Sequence, residues 1–134
     1  MGFACPELIA DINTLRYSTN PYNINRLTMA AGVAAIEEDS YYKDNCKKIM
    51  KAREYTATAL GELGFDVLDS STNFVFAKSD KIDGGELYTR LREKGILIRH
   101  FTKPSIAQYN RITIGTMAQM EILVANVKEI LEGK

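Results

Sequence analysis

The sequence predicts an α+β fold, in which a small and mostly antiparallel sheet of about four strands is covered by helices and preceded by two to three helices. One observation behind this prediction is the period of the apolar residues, which changes from steps of three or four before Gly64 to alternation after it. Another is the predicted element order of three helices, two strands, a helix, two strands and a helix. That order lacks the regular βαβ alternation of a doubly wound parallel sheet, so antiparallel pairing is expected.

Three helices are predicted ahead of Gly64. The first covers Pro6–Tyr17, with proline in the first turn, where its missing N–H costs little. The second covers about Ile24–Glu38 and is apolar almost all round, which predicts deep packing. The third covers Tyr41–Leu63 in steps of three or four and ends at glycine, the residue type favoured just after a helix.

Strands dominate the rest of the predicted fold. Phe65–Leu68 and Asn73–Lys78 alternate in polarity around a Ser-Ser-Thr turn and predict a hairpin. An Asp-Gly-Gly helix start predicts a further helix over Asp83–Gly95. The remaining predicted elements are an apolar strand over Ile96–Arg99, an alternating strand over Arg111–Ile114 and a last helix over about Ala118–Leu131.

Length and composition exclude several classes of protein. The 134 residues, 46% of them hydrophobic, are enough for one compact domain and too few for two ordinary ones. Seventeen basic residues balance seventeen acidic ones without a basic cluster, so neither nucleic acid nor a membrane surface is an expected partner. No apolar run approaches the ~20 residues of a membrane span, which favours a cytoplasmic location. Cys5, Cys46 and the single His100 cannot complete a zinc site, so reduced thiols and no metal are expected.

Two arginines are the main candidate functional residues. Arg99 and Arg111 each lie on a short predicted strand. A guanidinium is planar, permanently charged and able to donate paired hydrogen bonds to a carboxylate or phosphate, so the pair predicts an anion site. From spacing alone, two structural salt bridges at strand ends remain the alternative. The sequence contains no nucleotide-binding, metalloprotease or nucleophile-elbow motif, and His100, the one candidate general base, has no evident carboxylate partner.

Several segments occur together in a characteristic order. They are P-E-L-I from Pro6, N-P-Y-N-I-N from Asn20, G-F-D-V-L and T-N-F-V-F within 64–76, and G-I-L-I-R-H-F and Y-N-R-I-T-I-G-T within 95–116. In order and spacing, from Gly2 to about Leu131, the chain resembles the C-terminal (small) domain of the histidinol-phosphate aminotransferase family. These are class I/II pyridoxal-phosphate-dependent enzymes of the aspartate aminotransferase fold, which exchange an amino group between histidinol phosphate and 2-oxoglutarate in histidine biosynthesis.

The resemblance implies how the chain is organised. Residues 1–40 would be lead-in helices that link to an absent large domain, and residues 41–134 would be the small domain. In the family, the large domain supplies the Schiff-base lysine and the groups that hold the cofactor ring. We therefore expect an excised domain that binds no pyridoxal phosphate and does not transaminate alone, because the cofactor belongs to the full-length parent. Excision would expose apolar surface within Leu8–Leu27 and favour self-association, so a homo-oligomer is expected.

The resemblance also assigns roles to individual residues. Arg111 corresponds to the arginine that holds the acidic group of the substrate, here a phosphate, and Arg99 corresponds to its companion. Tyr22, in a loop that approaches the active site of such dimers, and Asn73, before a buried strand, are further candidates for substrate binding. Two alternatives remain: a decarboxylase of the same fold that acts on phosphorylated threonine, and a non-catalytic interaction module that uses the Tyr41–Leu63 helix.

Overall fold

The computed structural model describes residues 3–21 and 24–133, which contain five helices and a four-stranded sheet. The chain divides into two compact units, Met1–Ser40 and Tyr41–Lys134. The elements are α1 Pro6–Thr19, α2 Arg26–Glu37, α3 Asp39–Glu62, β1 Phe65–Leu68, β2 Phe74–Ser79, α4 Gly84–Glu93, β3 Arg99–His100, a 3₁₀ turn Pro104–Ile106, β4 Asn110–Thr113 and α5 Met117–Leu131.

The sheet has the strand order β1-β2-β4-β3, and all three pairings are antiparallel. This arrangement confirms the predicted α+β class and the predicted hairpin of β1 with β2. The pairing of β2 with β4 is not between sequence neighbours, since α4 and β3 lie between them in the chain. As a result β4 is an inner strand and β3 is an edge strand.

The core of the second unit lies on one face of the sheet, where α3, α4 and α5 supply buried side chains. Alternate residues of β2 and β4 point into it, among them Val75 and Ile112, each 1% exposed. Burial of a leucine or isoleucine of this kind contributes about 1.5–3 kcal/mol. The helix residues of the core are Ala52, Leu60, Leu87, Leu91, Met120, Leu123, Val127 and Ile130.

The predicted strand over Ile96–Arg99 is wrong for its first three residues. Gly95, with φ +78°, ends α4 and donates its N–H to the Arg92 carbonyl, and the Ile96 N–H is donated to Leu91 at 2.9 Å. These two backbone hydrogen bonds close the helix in a Schellman motif. Because the Ile96 donor is used by the helix end, pairing with β4 begins only at Arg99.

The prediction that the second helix is deeply packed is also wrong. No residue of α2 is buried, and Leu27 and Ile36 are 80% and 71% exposed. Apolar residues all round a helix show that it needs a partner surface, but a unit of about 40 residues encloses too little volume to supply one. Leu8, Ile12 and other apolar residues of α1 are likewise half exposed. The first unit therefore presents an unusual amount of apolar surface to solvent.

Neither membrane nor metal features are found in the described part of the chain. None of its helices is both long and apolar enough to cross a bilayer. No group of three or more metal-ligating side chains occurs among residues 3–21 and 24–133. Cys5 and Cys46 are free and exposed.

Candidate anion site

The second face of the sheet, which we call the open face, lies opposite the helix-covered core. One row of side chains runs across it from β1 to β3: Leu68, Phe76, Arg111 and Arg99, paired in that order. Arg111 and Arg99 are exposed, Phe76 is half-buried and Leu68 is 45% exposed. The two arginines are thus direct cross-strand neighbours that share a face of the sheet. They are like charges side by side, an arrangement that destabilises a sheet unless something compensates it.

Neither arginine has a carboxylate partner among the described residues. Each guanidinium lies instead over an aromatic ring, Arg99 over Phe101 at 5.6 Å and Arg111 over Phe74 at 5.2 Å between Cζ and the ring centroid. A ring attracts the flat face of a guanidinium by its quadrupole and leaves the N–H groups at its edge free. The structural salt bridges that were the alternative are absent from the described part of the chain, and the donors are available to an anion.

A third cation on the open face, Lys78, is different because it has a carboxylate partner. Its Nζ lies 3.6 Å from Asp66 and 5.4 Å from the centroid of the Tyr109 ring. Interactions with Tyr109 and, more weakly, with Asp66 raise the pKa of Lys78 above its ordinary value. A Schiff-base lysine needs a lowered pKa, so Lys78 does not fit that role.

The loop that joins β3 to β4 is fastened to the start of α4. Gly84 lies so close to this loop that its N–H reaches the Gln108 side chain at 3.3 Å, while Gln108 donates to Asp83 at 2.9 Å. On the buried side of β4, the Asn110 amide donates to the Gly84 carbonyl at 2.9 Å. These bonds hold the strand that carries Arg111, and sequence patterns did not reveal them. The only signal was the Asp-Gly-Gly helix start, which predicted the helix and not its contact with the loop.

Asp83 gives this fastening a dependence on pH. The bond from Gln108, followed by the backbone N–H groups of Glu86 and Gly85 that Asp83 caps, lowers the pKa of the Asp83 carboxyl below its ordinary value of 3.8. A pKa that is lower in the folded state adds stability. This stability is fully present at pH values above the pKa of the unfolded state and is lost as the pH falls through the pKa of the folded state.

We expect Asp83→Asn to reduce this acid sensitivity, because asparagine still caps a helix but cannot titrate. The measurement is the free energy of unfolding by urea at several values between about pH 5 and about pH 2. The wild-type chain should lose more stability over this range than the variant. Parallel profiles for the two proteins would contradict the assignment.

The other candidate residues lie apart from the arginine pair. Asn73 precedes β2, and its carbonyl accepts the Ile114 N–H at 2.8 Å. It is thus three residues along β2 from Phe76, the partner of Arg111, or roughly 10 Å at the rise of a strand. His100 pairs with Asn110 and faces the core side, where its ring stacks on that of Tyr88 with 5.9 Å between centroids, so its side chain lies on the opposite face of the sheet from that of Arg99. Tyr22 lies outside the described residues.

Comparison with known proteins identifies the family. The model of the family "Aminotransferase class I and II" matches residues 3–127. The chain therefore belongs to the class I and II aminotransferases, as the sequence motifs predicted. Pyridoxal phosphate is the cofactor of this family, and the sites that bind it involve a lysine.

One curated relative and two solved structures are similar to most of the chain. The chain is 43% identical over 134 residues to a histidinol-phosphate aminotransferase from Brachyspira hyodysenteriae. The matched region covers 98% of the chain but 38% of the relative. A candidate aminotransferase from Burkholderia pseudomallei has a TM-score of 0.84 at 28% identity, covering 96% of the chain and 38% of that structure. The histidinol-phosphate aminotransferase from Sinorhizobium meliloti, solved with pyridoxal-5'-phosphate, has a TM-score of 0.74 at 27% identity and covers 85% and 32%.

A threonine-phosphate enzyme shares the fold as well. The L-threonine-O-3-phosphate decarboxylase from Porphyromonas gingivalis has a TM-score of 0.59 at 29% identity, covering 64% of the chain and 28% of that structure. The chain thus spans less than two fifths of the length of each of these proteins.

Proposed function

We propose that this chain is the substrate-binding small domain of a histidinol-phosphate aminotransferase, with residues 1–40 leading in from a large domain. Arg111 binds the phosphate of the substrate, and Arg99 is its companion. The relative from Brachyspira hyodysenteriae supports this assignment through its identity over nearly the whole chain. Asn73 and Tyr22 are secondary candidates for contacts with the substrate.

One observation carries the proposal, namely that Arg99 and Arg111 are paired across β3 and β4 without carboxylate partners in the described chain. Two exposed guanidiniums at neighbouring positions can each donate two hydrogen bonds to one phosphate. An anion placed between them also removes the repulsion between the like charges. A phosphate, with more acceptor oxygens than a carboxylate, is the better match for two such donors.

We propose in addition that the chain does not transaminate alone. The described residues offer no lysine suited to a Schiff base on the open face, since Lys78 is ion-paired to Asp66 and has a raised pKa. Pyridoxal phosphate supplies the electron sink for amino transfer when it is bound in the full-length parent. The part played by this chain is to bind and orient the phosphate end of the substrate.

Calorimetry with histidinol phosphate and with histidinol tests the proposal. The two ligands share every group except the phosphate, so a site built on Arg99 and Arg111 should bind the first and leave the second unbound at the same concentration. An assay of glutamate formation with 2-oxoglutarate and added pyridoxal phosphate should show no turnover. Equal binding of the two ligands, or turnover by the chain alone, would contradict the proposal.

A decarboxylase of phosphorylated threonine is the second candidate for the parent enzyme. The Porphyromonas gingivalis structure favours it, since that protein's substrate also carries a phosphate. The two candidates share the phosphate-binding end and differ in the amine that they hold. Competition between histidinol phosphate and threonine phosphate for the parent enzyme, scored by product, separates them.

We also propose that the chain self-associates through its first unit. Leu27, Val33 and Ile36 of α2 are 80%, 55% and 71% exposed, and such apolar surface promotes association. Sedimentation analysis should show a mass above that of the monomer that rises with concentration, and Leu27→Glu together with Ile36→Glu should restore the monomer. A monomer at all concentrations would contradict self-association. The exposed apolar surface would then favour the alternative of an interaction module that binds a different protein.

A further inference from the structure

We propose that Phe74 and Phe101 are positioning residues of the anion site, each holding one of the two arginines by a cation–π contact. This inference rests on the proposed function of Arg99 and Arg111. It assigns a role to two residues for which sequence patterns indicated none. Each ring stands where a carboxylate would stand in a salt bridge.

The register of the sheet places the two rings on opposite sides of the arginine row. Phe74 pairs with Thr113, two residues beyond Arg111 on β4. Phe101 follows Arg99 by two residues, just after the end of β3, and contacts Phe76 on the open face in the direction of Tyr109. The two rings therefore contact their guanidiniums from opposite sides of the arginine row, and each cation–π contact partly offsets the cost of placing two like charges on paired residues.

The Phe101 ring is itself held in place by other rings. Phe101 packs edge-to-face on Phe76, with ring centroids 5.8 Å apart and an angle of 80° between planes. Phe76 in turn stacks on Tyr109 at 4.6 Å and 13°. Phe74, Phe76, Phe101 and Tyr109 are all half-buried. A ring fixed by packing gives its arginine a fixed resting position, which lowers the conformational entropy lost when an anion binds.

A ring is suited to this task because it contacts the face of a guanidinium and not its edge. A carboxylate would bind the same N–H groups that the ligand needs and would have to be displaced. Lys78 shows the contrast on the same face of the sheet, since it has both a ring and the Asp66 carboxylate as neighbours. Its charge is compensated within the protein, whereas those of Arg99 and Arg111 are left for a ligand.

Phosphate titration of the full chain and its variants tests the inference, with inorganic phosphate as the probe at constant ionic strength. Phe101→Leu and Phe74→Leu should each weaken phosphate binding about twofold to fivefold, as expected for loss of an exposed cation–π contact. Phe101→Tyr should retain wild-type affinity because the ring is kept. Lys78→Gln, which removes one charge from the same face, is the control and should change affinity little.

A double-mutant cycle separates positioning from a general structural role. If Phe101 acts through Arg99, Phe101→Leu should have no further effect in an Arg99→Gln background. The δ protons of Arg99 should show an upfield ring-current shift in wild-type NMR spectra without ligand, lost in Phe101→Leu. An equal loss of affinity in both backgrounds, unchanged affinity in Phe101→Leu, or absence of the ring-current shift would overturn the inference.

The same experiment keeps failure of this inference distinct from failure of the proposed function. If Arg99→Gln and Arg111→Gln weaken phosphate binding and the phenylalanine variants do not, only the positioning role is wrong. If the wild-type chain does not bind phosphate, or if neither arginine variant weakens binding, both are wrong.

Discussion

Arg111→Gln is expected to weaken phosphate binding by about tenfold to about 100-fold, the largest effect of any substitution on the open face. Hydrogen bonds to a charged group contribute about 1.5–3 kcal/mol, and glutamine provides neither the charge nor the paired donors. Arg111 lies on the inner strand β4, between Phe76 on β2 and Arg99 on β3, so its position is fixed from both sides. The affinity for inorganic phosphate, measured by calorimetry at low and at moderate salt, checks the expectation.

Two further variants show whether the geometry of the guanidinium matters as well as its charge. Arg111→Lys keeps the charge but replaces a planar fork by a point charge, and we expect an affinity between those of the wild type and Arg111→Gln. Lys78→Gln removes a charge that Asp66 already compensates and should have little effect. If all three variants bind phosphate as tightly as the wild type does, the open face does not contain an anion site.

Gly84→Ala is expected to lower the free energy of unfolding by about 1–3 kcal/mol, through overpacking at the contact between α4 and the loop before β4. A Cβ at this position would lie 2.7 Å from the carbonyl oxygens of both Ala107 and Gln108. These are backbone atoms, so the loop itself must shift to make room. The shift should also disturb the bond from Asn110 to the Gly84 carbonyl. Urea unfolding checks the stability, and amide shifts of residues 107–110 report the displacement of the loop.

Gly61→Ala is the matched control, because it makes the same change near the end of another helix. Nothing lies within 4 Å of a Cβ at Gly61, and its φ is not positive. Alanine there should raise stability by about 0.4–1 kcal/mol, since it restricts the unfolded chain without a clash. Destabilisation of similar size at both sites would mean that the close contact at Gly84 is not the cause.

Local sequence patterns predicted most of the elements because their signals lie within a few residues. The change of period after Gly64 predicted the boundary between α3 and the strands, and Asp83 followed by two glycines predicted the start of α4. The first part of the predicted strand over Ile96–Arg99 was wrong because the same apolar residues can close a helix. The hydrogen bond from the Ile96 N–H to the Leu91 carbonyl favours the helix end over a strand, and it depends on Gly95 adopting a positive φ.

The candidate site was predicted only in part, because its geometry depends on contacts between distant residues. The sequence shows that Arg99 and Arg111 lie on strands, but their direct pairing is set by the loop between them and its bonds to Asp83 and Gly84. The rings of Phe74 and Phe101 became neighbours of the arginines through sheet register. The pattern of α2 likewise showed a need for a partner surface without showing where that surface is.

NMR titration of the isolated chain with inorganic phosphate tests directly whether Arg99 and Arg111 form one anion site. We expect saturable shifts of the Arg99 and Arg111 side-chain Nε–Hε signals with one shared dissociation constant. The Nε–Hε signal of Arg53, whose Nη1 donates to the Thr72 carbonyl, should stay unchanged. Shifts at one arginine only, different constants for the two, or no shifts at either would contradict an anion site formed by the pair.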